Sequence, residues 1–134
     1  MEKLPRALVN RLLAHAQRFP DREVCGLVAA TDDEPSRCYP IPNNADAPDR
    51  LFAMEPAAQL QAMKRMREHG ERLYAIYHSH PETLPVPSQR DLEAVGYPEA
   101  LYLIISLGTR GVLEMRGWRL TGEQPEAVAI GIRD

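Results

Sequence analysis

The chain has 134 residues, of which 44% are hydrophobic and 26% are charged, and its formal net charge is −3. This composition predicts one soluble globular domain spanning residues 1–134, and the slightly acidic balance gives no support for a nucleic-acid partner. No apolar run reaches the roughly 18 residues that cross a bilayer, and the charged N-terminus lacks the apolar centre of a signal peptide. We therefore expect a cytoplasmic protein without membrane association.

The first part of the chain changes from a helical pattern to an extended one. Apolar residues recur at helical spacing over residues 5–18, which predicts an amphipathic helix. A short apolar run over residues 23–30 predicts a strand, and the polar residues 31–36 predict the turn after it. Residues 37–41 can pair with that strand as a second strand, and the composition of residues 42–50 predicts a loop.

A second helix is predicted over residues 56–69. Pro56 suits its first turn, and Gly70 lies just past its end. Three large apolar side chains follow one another at three-residue spacing, and we expect this side of the helix to pack on the core: Leu60, Met63 and Met66.

Strands and one short helix make up the second half of the chain. Apolar or alternating residues predict extended segments over residues 72–78, 101–107, 112–120 and 127–132. Ser88 is a favourable N-cap for a short helix over residues 88–95, and residues 108–111 predict a turn. The order of these elements predicts an α/β or α+β fold in which helices flank a mixed central β-sheet.

Two histidines and a Ser-x-x-Asp pair stand close together in the sequence. His78 and His80 lie two residues apart at a strand end, so both imidazoles point to the same face. Ser88 and Asp91 lie three residues apart, so both side chains share one face of the first helical turn. The proline-rich loop between the two pairs can fold the helix back over the strand end. Two imidazoles and one carboxylate would then converge.

Two nitrogen ligands and one oxygen ligand suit zinc, and three protein ligands leave a fourth position for water. An open position is typical of catalytic zinc, which lowers the pKa of its water to about 7. The alternative is that His78 and His80 are ordinary residues at a strand end and that Ser88 and Asp91 merely cap a helix. His15 and His69 lie in predicted helices, and we assign them no catalytic role.

The two cysteines, Cys25 and Cys38, form neither a CxxC pair nor a four-ligand zinc pattern. In a reducing compartment we expect both to be free thiols.

The string HSHP, followed by Ser88 and Asp91, resembles the H-x-H-x7-S-x2-D signature of the JAMM (MPN-plus) metallopeptidases, and the context of Glu23 in EVCGL is similar to that of the compact bacterial members. The resemblance implies a cytidine-deaminase-like sandwich with one zinc ion per chain, held by His78, His80 and Asp91. It also implies that Glu23 is the general acid/base and that Ser88 hydrogen-bonds the oxyanion.

Only the family pattern selects Glu23, since the residues alone leave nearby Asp21 as an alternative and also allow Glu23 to be a surface charge at the start of a strand. Cys25 would lie on the same face as Glu23 in a regular strand, and we interpret it as a small core residue.

The resemblance further implies a peptidase or isopeptidase that acts on a ubiquitin-like or sulfur-carrier protein with a flexible Gly-Gly tail. Such a tail can lie extended in a groove, for which residues 42–50 and 50–54 are candidate walls. The product could be the free carrier or an amino acid such as cysteine. A homodimer is left open.

Two other functions are compatible with the same fold. One is a binding or scaffold module without activity, but such relatives usually lack part of the metal set, and the set here is complete. The other is a relative of the DNA-repair-associated bacterial proteins that share an HxH motif. Their histidine segment differs in sequence, and the acidic balance of this chain does not favour DNA.

Overall fold

The computed structural model describes residues 1–108 and 113–134. The elements of these residues follow in this order: β1 (Glu2–Pro5), α1 (Arg6–Arg18), β2 (Cys25–Thr31), β3 (Glu34–Ile41), α2 (Pro56–Glu68), β4 (Arg72–His80), α3 (Gln89–Glu93), β5 (Leu101–Ser106), β6 (Glu114–Arg119), β7 (Glu126–Val128) and β8 (Ile130–Arg133). None of these helices is long and apolar enough to cross a membrane.

A six-stranded mixed sheet forms the centre of the fold, with strand order β3-β2-β4-β5-β6-β7. Strands β4 and β5 are parallel, and the other neighbouring pairs are antiparallel. Strands β1 and β8 form a separate parallel pair. The mixed central sheet with flanking helices that the sequence predicts is confirmed.

The two faces of the sheet carry separate hydrophobic clusters because successive side chains of a strand point to opposite faces. Helix α1 contributes Leu8 and Leu12 to the cluster that contains Tyr77 of β4. Helix α2 contributes Met66 to the cluster that contains Ile76 of β4. Strand β4 is therefore covered on both faces, which agrees with its nearly continuous burial.

The N-terminal half follows the predicted pattern with two additions. Helix α1 begins at Arg6, because Pro5 has an extended backbone and precedes the helix. Strand β1 was not predicted, since its pairing partner β8 lies at the other end of the chain. Strand β3 begins at Glu34 because Asp32 and Asp33 both adopt positive φ, at 50° and 64°, and close a tight hairpin between β2 and β3.

Helix α2 has the predicted bounds to within one residue, but the expectation that all three large apolar residues face the core is wrong. Met66 is buried and Met63 is partly buried, whereas Leu60 is 72% exposed. Each three-residue step falls about 60° short of a full helical turn, so Leu60 and Met66 lie about 120° apart around the helix. Of these three side chains, only Met63 and Met66 pack on the hydrophobic cluster of the sheet.

The strands and the short helix of the second half follow one another in the predicted order. The predicted final segment is divided between two strands, because β7 pairs with β6 whereas β8 pairs with β1. The turn predicted over residues 108–111 lies outside the described residues apart from Gly108, and so does the first residue of the strand predicted over residues 112–120.

Candidate metal centre

Four acidic and imidazole side chains meet at the end of β4. One potential ligand atom from each lies within 4.8 Å of the others, and the residues are Glu23, His78, His80 and Asp91. The two histidines and Glu23 are buried, and the side chain of Asp91 is only 9% exposed. The structure thus brings together both histidines, the aspartate and the glutamate singled out in the sequence. Asp21, the alternative to Glu23, is exposed and does not belong to this group.

Three of these ligand atoms form a nearly equilateral triangle. Nε2 of His78 lies 3.2 Å from Nε2 of His80 and 3.2 Å from Oδ2 of Asp91, and Nε2 of His80 lies 3.1 Å from the same oxygen. Ligand bonds of 2.0–2.1 Å in a tetrahedral zinc site would place the ligand atoms about 3.3 Å apart. The donor atoms and their spacing therefore fit one zinc ion.

Strand β4 carries both imidazoles on one face and anchors itself to the Glu23 segment through the other face. Ser79 lies between the histidines, and its hydroxyl oxygen accepts the backbone N–H of Val24 at 2.8 Å. The backbone N–H of Ser79 donates to the carbonyl of Val24 at 3.0 Å. These two bonds fix the residue next to Glu23 against the histidine strand.

Both imidazoles have neighbours that restrict their orientation. Nδ1 of His80 lies 2.8 Å from the carbonyl oxygen of Leu84, and because a carbonyl only accepts, this nitrogen carries a proton. In the neutral imidazole the lone pair is therefore on Nε2. The ring of Phe52 stacks on His78 with centroids 4.4 Å apart. Nδ1 of His78 is buried without a hydrogen-bond partner in the described part of the chain.

Asp91 is oriented by the predicted N-cap. The backbone N–H of Asp91 donates to Oγ of Ser88 at 3.1 Å, and the backbone N–H of Ser88 donates to Oδ2 of Asp91 at 2.9 Å. This capping box holds the carboxylate oxygen that also faces both imidazoles. Ser88 itself is exposed and lies at the border of the four-residue group.

Burial makes the Glu23 carboxyl group a weaker acid than an ordinary glutamate. Loss of solvent raises its pKa to about 7, the charge of His80 opposes this change, and the charges of Asp91 and Asp49 add to it. Oε1 of Glu23 is buried and has no hydrogen-bond partner among the described residues. A carboxyl group with a pKa near neutrality can both accept and release a proton at physiological pH.

The pKa values of Asp91 and His78 suit ligation, whereas the pKa of His80 favours its protonated form in the metal-free protein. Burial alone would raise the pKa of Asp91, but hydrogen bonds from His78 and His80 hold it well below the usual carboxyl range. Burial lowers the pKa of His78 and favours its neutral form. Burial would also lower the pKa of His80, but the hydrogen bonds to Asp91 and to the Leu84 carbonyl raise it.

Two further residues support the site without any clear signal in the sequence. The amide nitrogen of Asn43 donates to the carbonyls of Glu23 and Leu51, both at 2.9 Å. Its amide oxygen accepts the N–H groups of Ala45 and Ala53, both at 3.0 Å. One side chain therefore joins the Glu23 segment to the loop. The other unpredicted residue is Phe52, which this loop presents to His78.

Both cysteines, Cys25 and Cys38, are free thiols. Cys25 is fully buried, and its Sγ lies 3.4 Å from the carbonyl of Ile41. Burial, with a smaller effect from Glu23, raises the pKa of Cys25 to about 12, so the sulfur stays protonated. This agrees with the interpretation of Cys25 as a small core residue.

Residues 5–121 match the model of the family described as prokaryotic homologs of the JAB domain. The chain belongs to this family. Two relatives of this JAB-domain protein carry functional names. The CysO-cysteine peptidase of Mycobacterium tuberculosis is 32% identical over 115 residues, which cover 84% of this chain and 78% of that protein. The probable TtuB-protein conjugate cleaving protease of Thermus thermophilus is 37% identical over 109 residues, which cover 81% and 71%.

Solved structures show the same fold. Protein DSY2949 from Desulfitobacterium hafniense has a TM-score of 0.88 and 30% identity, over 100% of this chain and 94% of that chain. AF2198, a JAB1/MPN domain protein from Archaeoglobus fulgidus, has a TM-score of 0.64 and 18% identity over 98% and 97%. The resemblance to the JAMM (MPN-plus) family that the sequence motif carries is confirmed by these matches.

Proposed function

We propose that this JAB-domain protein is a zinc-dependent metallopeptidase. Its reaction is the hydrolysis of a peptide or isopeptide bond at the Gly-Gly end of a ubiquitin-like or sulfur-carrier protein. The observation that carries this proposal is the triangle of His78, His80 and Asp91 ligand atoms with the buried Glu23 carboxyl group beside it. The names of the relatives, a peptidase and a conjugate-cleaving protease, support the reaction type.

His78, His80 and Asp91 would hold one zinc ion per chain. When bound, zinc would supply a Lewis acid that polarises the scissile carbonyl and makes a water molecule acidic near neutral pH. The Nδ1–H of His80 holds its ring against the Leu84 carbonyl, and the cap of Ser88 holds the Asp91 carboxylate. The ligands are thus oriented before any metal arrives.

Glu23 moves the proton in the proposed reaction. Its carboxylate accepts a proton from the attacking water, and the resulting carboxylic acid gives that proton to the leaving amine. The raised pKa of Glu23 and its unpartnered Oε1 support this role, because the group can change protonation state near pH 7 and has a free lone pair. No covalent bond between enzyme and substrate is formed.

The Ser88 hydroxyl is proposed to donate a hydrogen bond to the oxyanion that develops on the scissile carbonyl. Its Oγ already accepts the N–H of Asp91, so the hydroxyl proton points away from the helix. Ser88→Ala should lower kcat about 100-fold, and Ser88→Thr should restore most of the loss because threonine keeps the hydroxyl. Equal rates in wild type and Ser88→Ala would contradict this role.

The carrier tail would lie in an open groove of about 240 Å³ beside His78. The segment Phe52–Met54 lines this groove, and so does Tyr97. The segment is extended, since Met54 bridges to Asn43, so its backbone can pair with an extended Gly-Gly tail. The same proposal includes a single domain over residues 1–134 and a cytoplasmic location. It is compatible with a homodimer.

A panel of carrier fusions tests the proposed function. Each fusion carries one or more residues after the Gly-Gly tail, and cleavage is followed by mass spectrometry with and without zinc. We expect zinc-dependent cleavage that is lost in Glu23→Gln while one zinc ion per chain remains bound. His78→Ala should lose the metal itself. Full activity after complete zinc removal would reject the proposal, and an intact metal site without cleavage of any fusion would favour the scaffold alternative.

A further inference from the structure

The first helix concentrates positive charge on a protein that is slightly acidic overall. Residues 3–20 contain four lysines and arginines and neither aspartate nor glutamate, although the whole chain has a net charge of −3. Arg11, His15 and Arg18 follow one another at spacings of four and three residues, so they share one flank of α1. Arg22 continues this line beyond the end of the helix. We call Arg11, Arg18 and Arg22 the basic flank. His15 lies between them, but burial lowers its pKa and favours its neutral form.

The arginines of the basic flank are exposed and available for a partner. Arg11, Arg18 and Arg22 form no ion pair with any residue that the structure describes, whereas Arg6 of the same helix pairs with Asp134. Exposed arginines that form no ion pair keep their charge and their five hydrogen-bond donors available for a partner. The surface therefore offers the chemistry that binds carboxylates.

An aromatic ring lies in the middle of these charges. The guanidinium carbons of Arg18 and Arg22 lie 5.8 Å and 5.9 Å from the ring centre of Phe19, which is 39% exposed. Stacking on Phe19 limits the freedom of both arginines, so less entropy is lost when they bind a partner. Arginine and aromatic residues are also the types enriched where protein partners bind most strongly.

The basic flank leads directly to the catalytic glutamate. Phe19, Arg22 and His15 line an open pocket of about 370 Å³, and Glu23 and Asn43 line the same pocket. In the proposed function, Glu23 hands its proton to the leaving amine. The part of the substrate that follows the scissile bond would therefore reach this pocket first.

We propose that the basic flank binds an acidic segment of the substrate, located after the scissile bond. The inference rests on the proposed function and adds a selection rule to it: leaving segments rich in aspartate and glutamate are preferred. From Arg11 to Arg18 the helix rises about 10 Å, and eight extended residues span about 27 Å. An extended peptide of eight residues is therefore longer than the helical rise between Arg11 and Arg18 and can contact both.

Direct binding tests the inference without catalysis. The full chain is titrated into a fluorescent eight-residue peptide of aspartate and glutamate, or into the same peptide with asparagine and glutamine, and anisotropy is recorded. We expect the acidic peptide to bind at least about fivefold more tightly, and the difference to shrink between about 50 mM and about 500 mM NaCl. Equal binding of both peptides would overturn the inference.

Matched charge reversals locate the binding surface. Arg18→Glu should weaken binding of the acidic peptide about fivefold, because it removes an attraction and adds a repulsion. Arg67→Glu is the control, since Arg67 is exposed and also lies in the last turn of a helix, but on α2. Both variants change the net charge and the helix dipole interaction equally. Equal weakening in both, or tighter binding of a labelled single-stranded oligonucleotide than of the acidic peptide, would overturn the assignment.

Cleavage then separates this inference from the proposed function. Carrier fusions with the acidic or the amide segment after Gly-Gly are compared with wild type in zinc. A lower KM for the acidic segment, lost in Arg18→Glu and kept in Arg67→Glu, supports the inference. Cleavage of both segments with equal KM contradicts the inference and leaves the peptidase proposal intact. Absence of cleavage of either, with peptide binding as expected, contradicts the peptidase proposal alone.

Discussion

The ring of Phe52 is stacked on the imidazole of His78, with centroids 4.4 Å apart and planes inclined by 23°. This contact covers an imidazole whose Nδ1 has no hydrogen-bond partner among the described residues. On the Nδ1 side, packing against Phe52 rather than a hydrogen bond thus restricts the orientation of His78. The two imidazoles of the site are held by different means, since His80 is held by the Leu84 carbonyl.

Removing the aromatic ring should weaken metal binding. We expect Phe52→Ala to lower the affinity for zinc about tenfold, because His78 gains rotational freedom and solvent reaches the site. The measurement is a competition titration with a chromogenic chelator. Phe52→Leu is the control, since it keeps an apolar cover. An affinity in Phe52→Ala equal to that of wild type would show that the stack does not orient His78.

The Asn43 side chain should contribute strongly to stability. Asn43→Ala removes four hydrogen bonds, one to the Glu23 carbonyl and three within the loop, and we expect the free energy of unfolding to fall by about 3 kcal/mol. Urea unfolding measures the loss. Asn44→Ala is the matched control, because Asn44 is exposed and its side chain has no partner in the described part of the chain. Equal stability of the two variants would contradict a stabilising role of the Asn43 side chain.

The raised pKa of Glu23 predicts how the stability of the metal-free protein changes with pH. Burial moves this pKa from 4.5 to about 7, so between these values the folded state binds more protons than the unfolded state. Stability therefore falls as the pH rises through this window. The contribution is fully present below about pH 4.5 and is lost above about pH 7.

Glu23→Gln should abolish this contribution. In EDTA we expect the variant to gain about 2 kcal/mol relative to wild type when the pH rises from about 5 to about 8. Urea unfolding of both proteins at the two pH values gives the difference. The same stability difference at both values would mean that Glu23 is not buried as a neutral group in the metal-free protein.

Gly26 should tolerate no side chain. A Cβ atom at this position would lie 2.5 Å from the Tyr77 ring and 2.6 Å from the Tyr39 carbonyl oxygen. We expect Gly26→Ala to destabilise the fold by about 3 kcal/mol, because the buried Tyr77 cannot move away without disturbing β4. Thermal or urea unfolding measures this loss. Gly122→Ala serves as the control, since its Cβ would have only an ordinary contact at 3.9 Å.

The sequence alone predicted how neighbouring side chains of the candidate metal centre are placed, because this placement depends on short-range regularity. The two-residue period of a strand places His78 and His80 on one face, and the first turn of a helix places Ser88 beside Asp91. These relationships need no knowledge of distant parts of the chain. The same local rules predicted α1, α2 and the central strands to within a few residues.

Other features depended on contacts between distant segments. The burial of α2 could not be predicted from its apolar spacing, since the sheet reaches Met66 but not Leu60. Strand β1 exists only because β8 lies beside it. Phe52 and Asn43 had no distinguishing pattern, since their roles depend on where the loop folds.

The position of Glu23 shows most clearly which features local sequence patterns predict and which depend on tertiary contacts. Local spacing and charge left Glu23 and Asp21 as alternatives. The antiparallel pairing of β2 and β4 puts Cys25 opposite His78, and Ser79 bonds to Val24, so Glu23 is brought to the ligands. The chain by itself determined which ligands are available and how near neighbours are oriented, because helices and strands have fixed periods. Only tertiary pairing decided which distant carboxyl group is buried beside them, because that depends on strand register and loop packing across the whole domain.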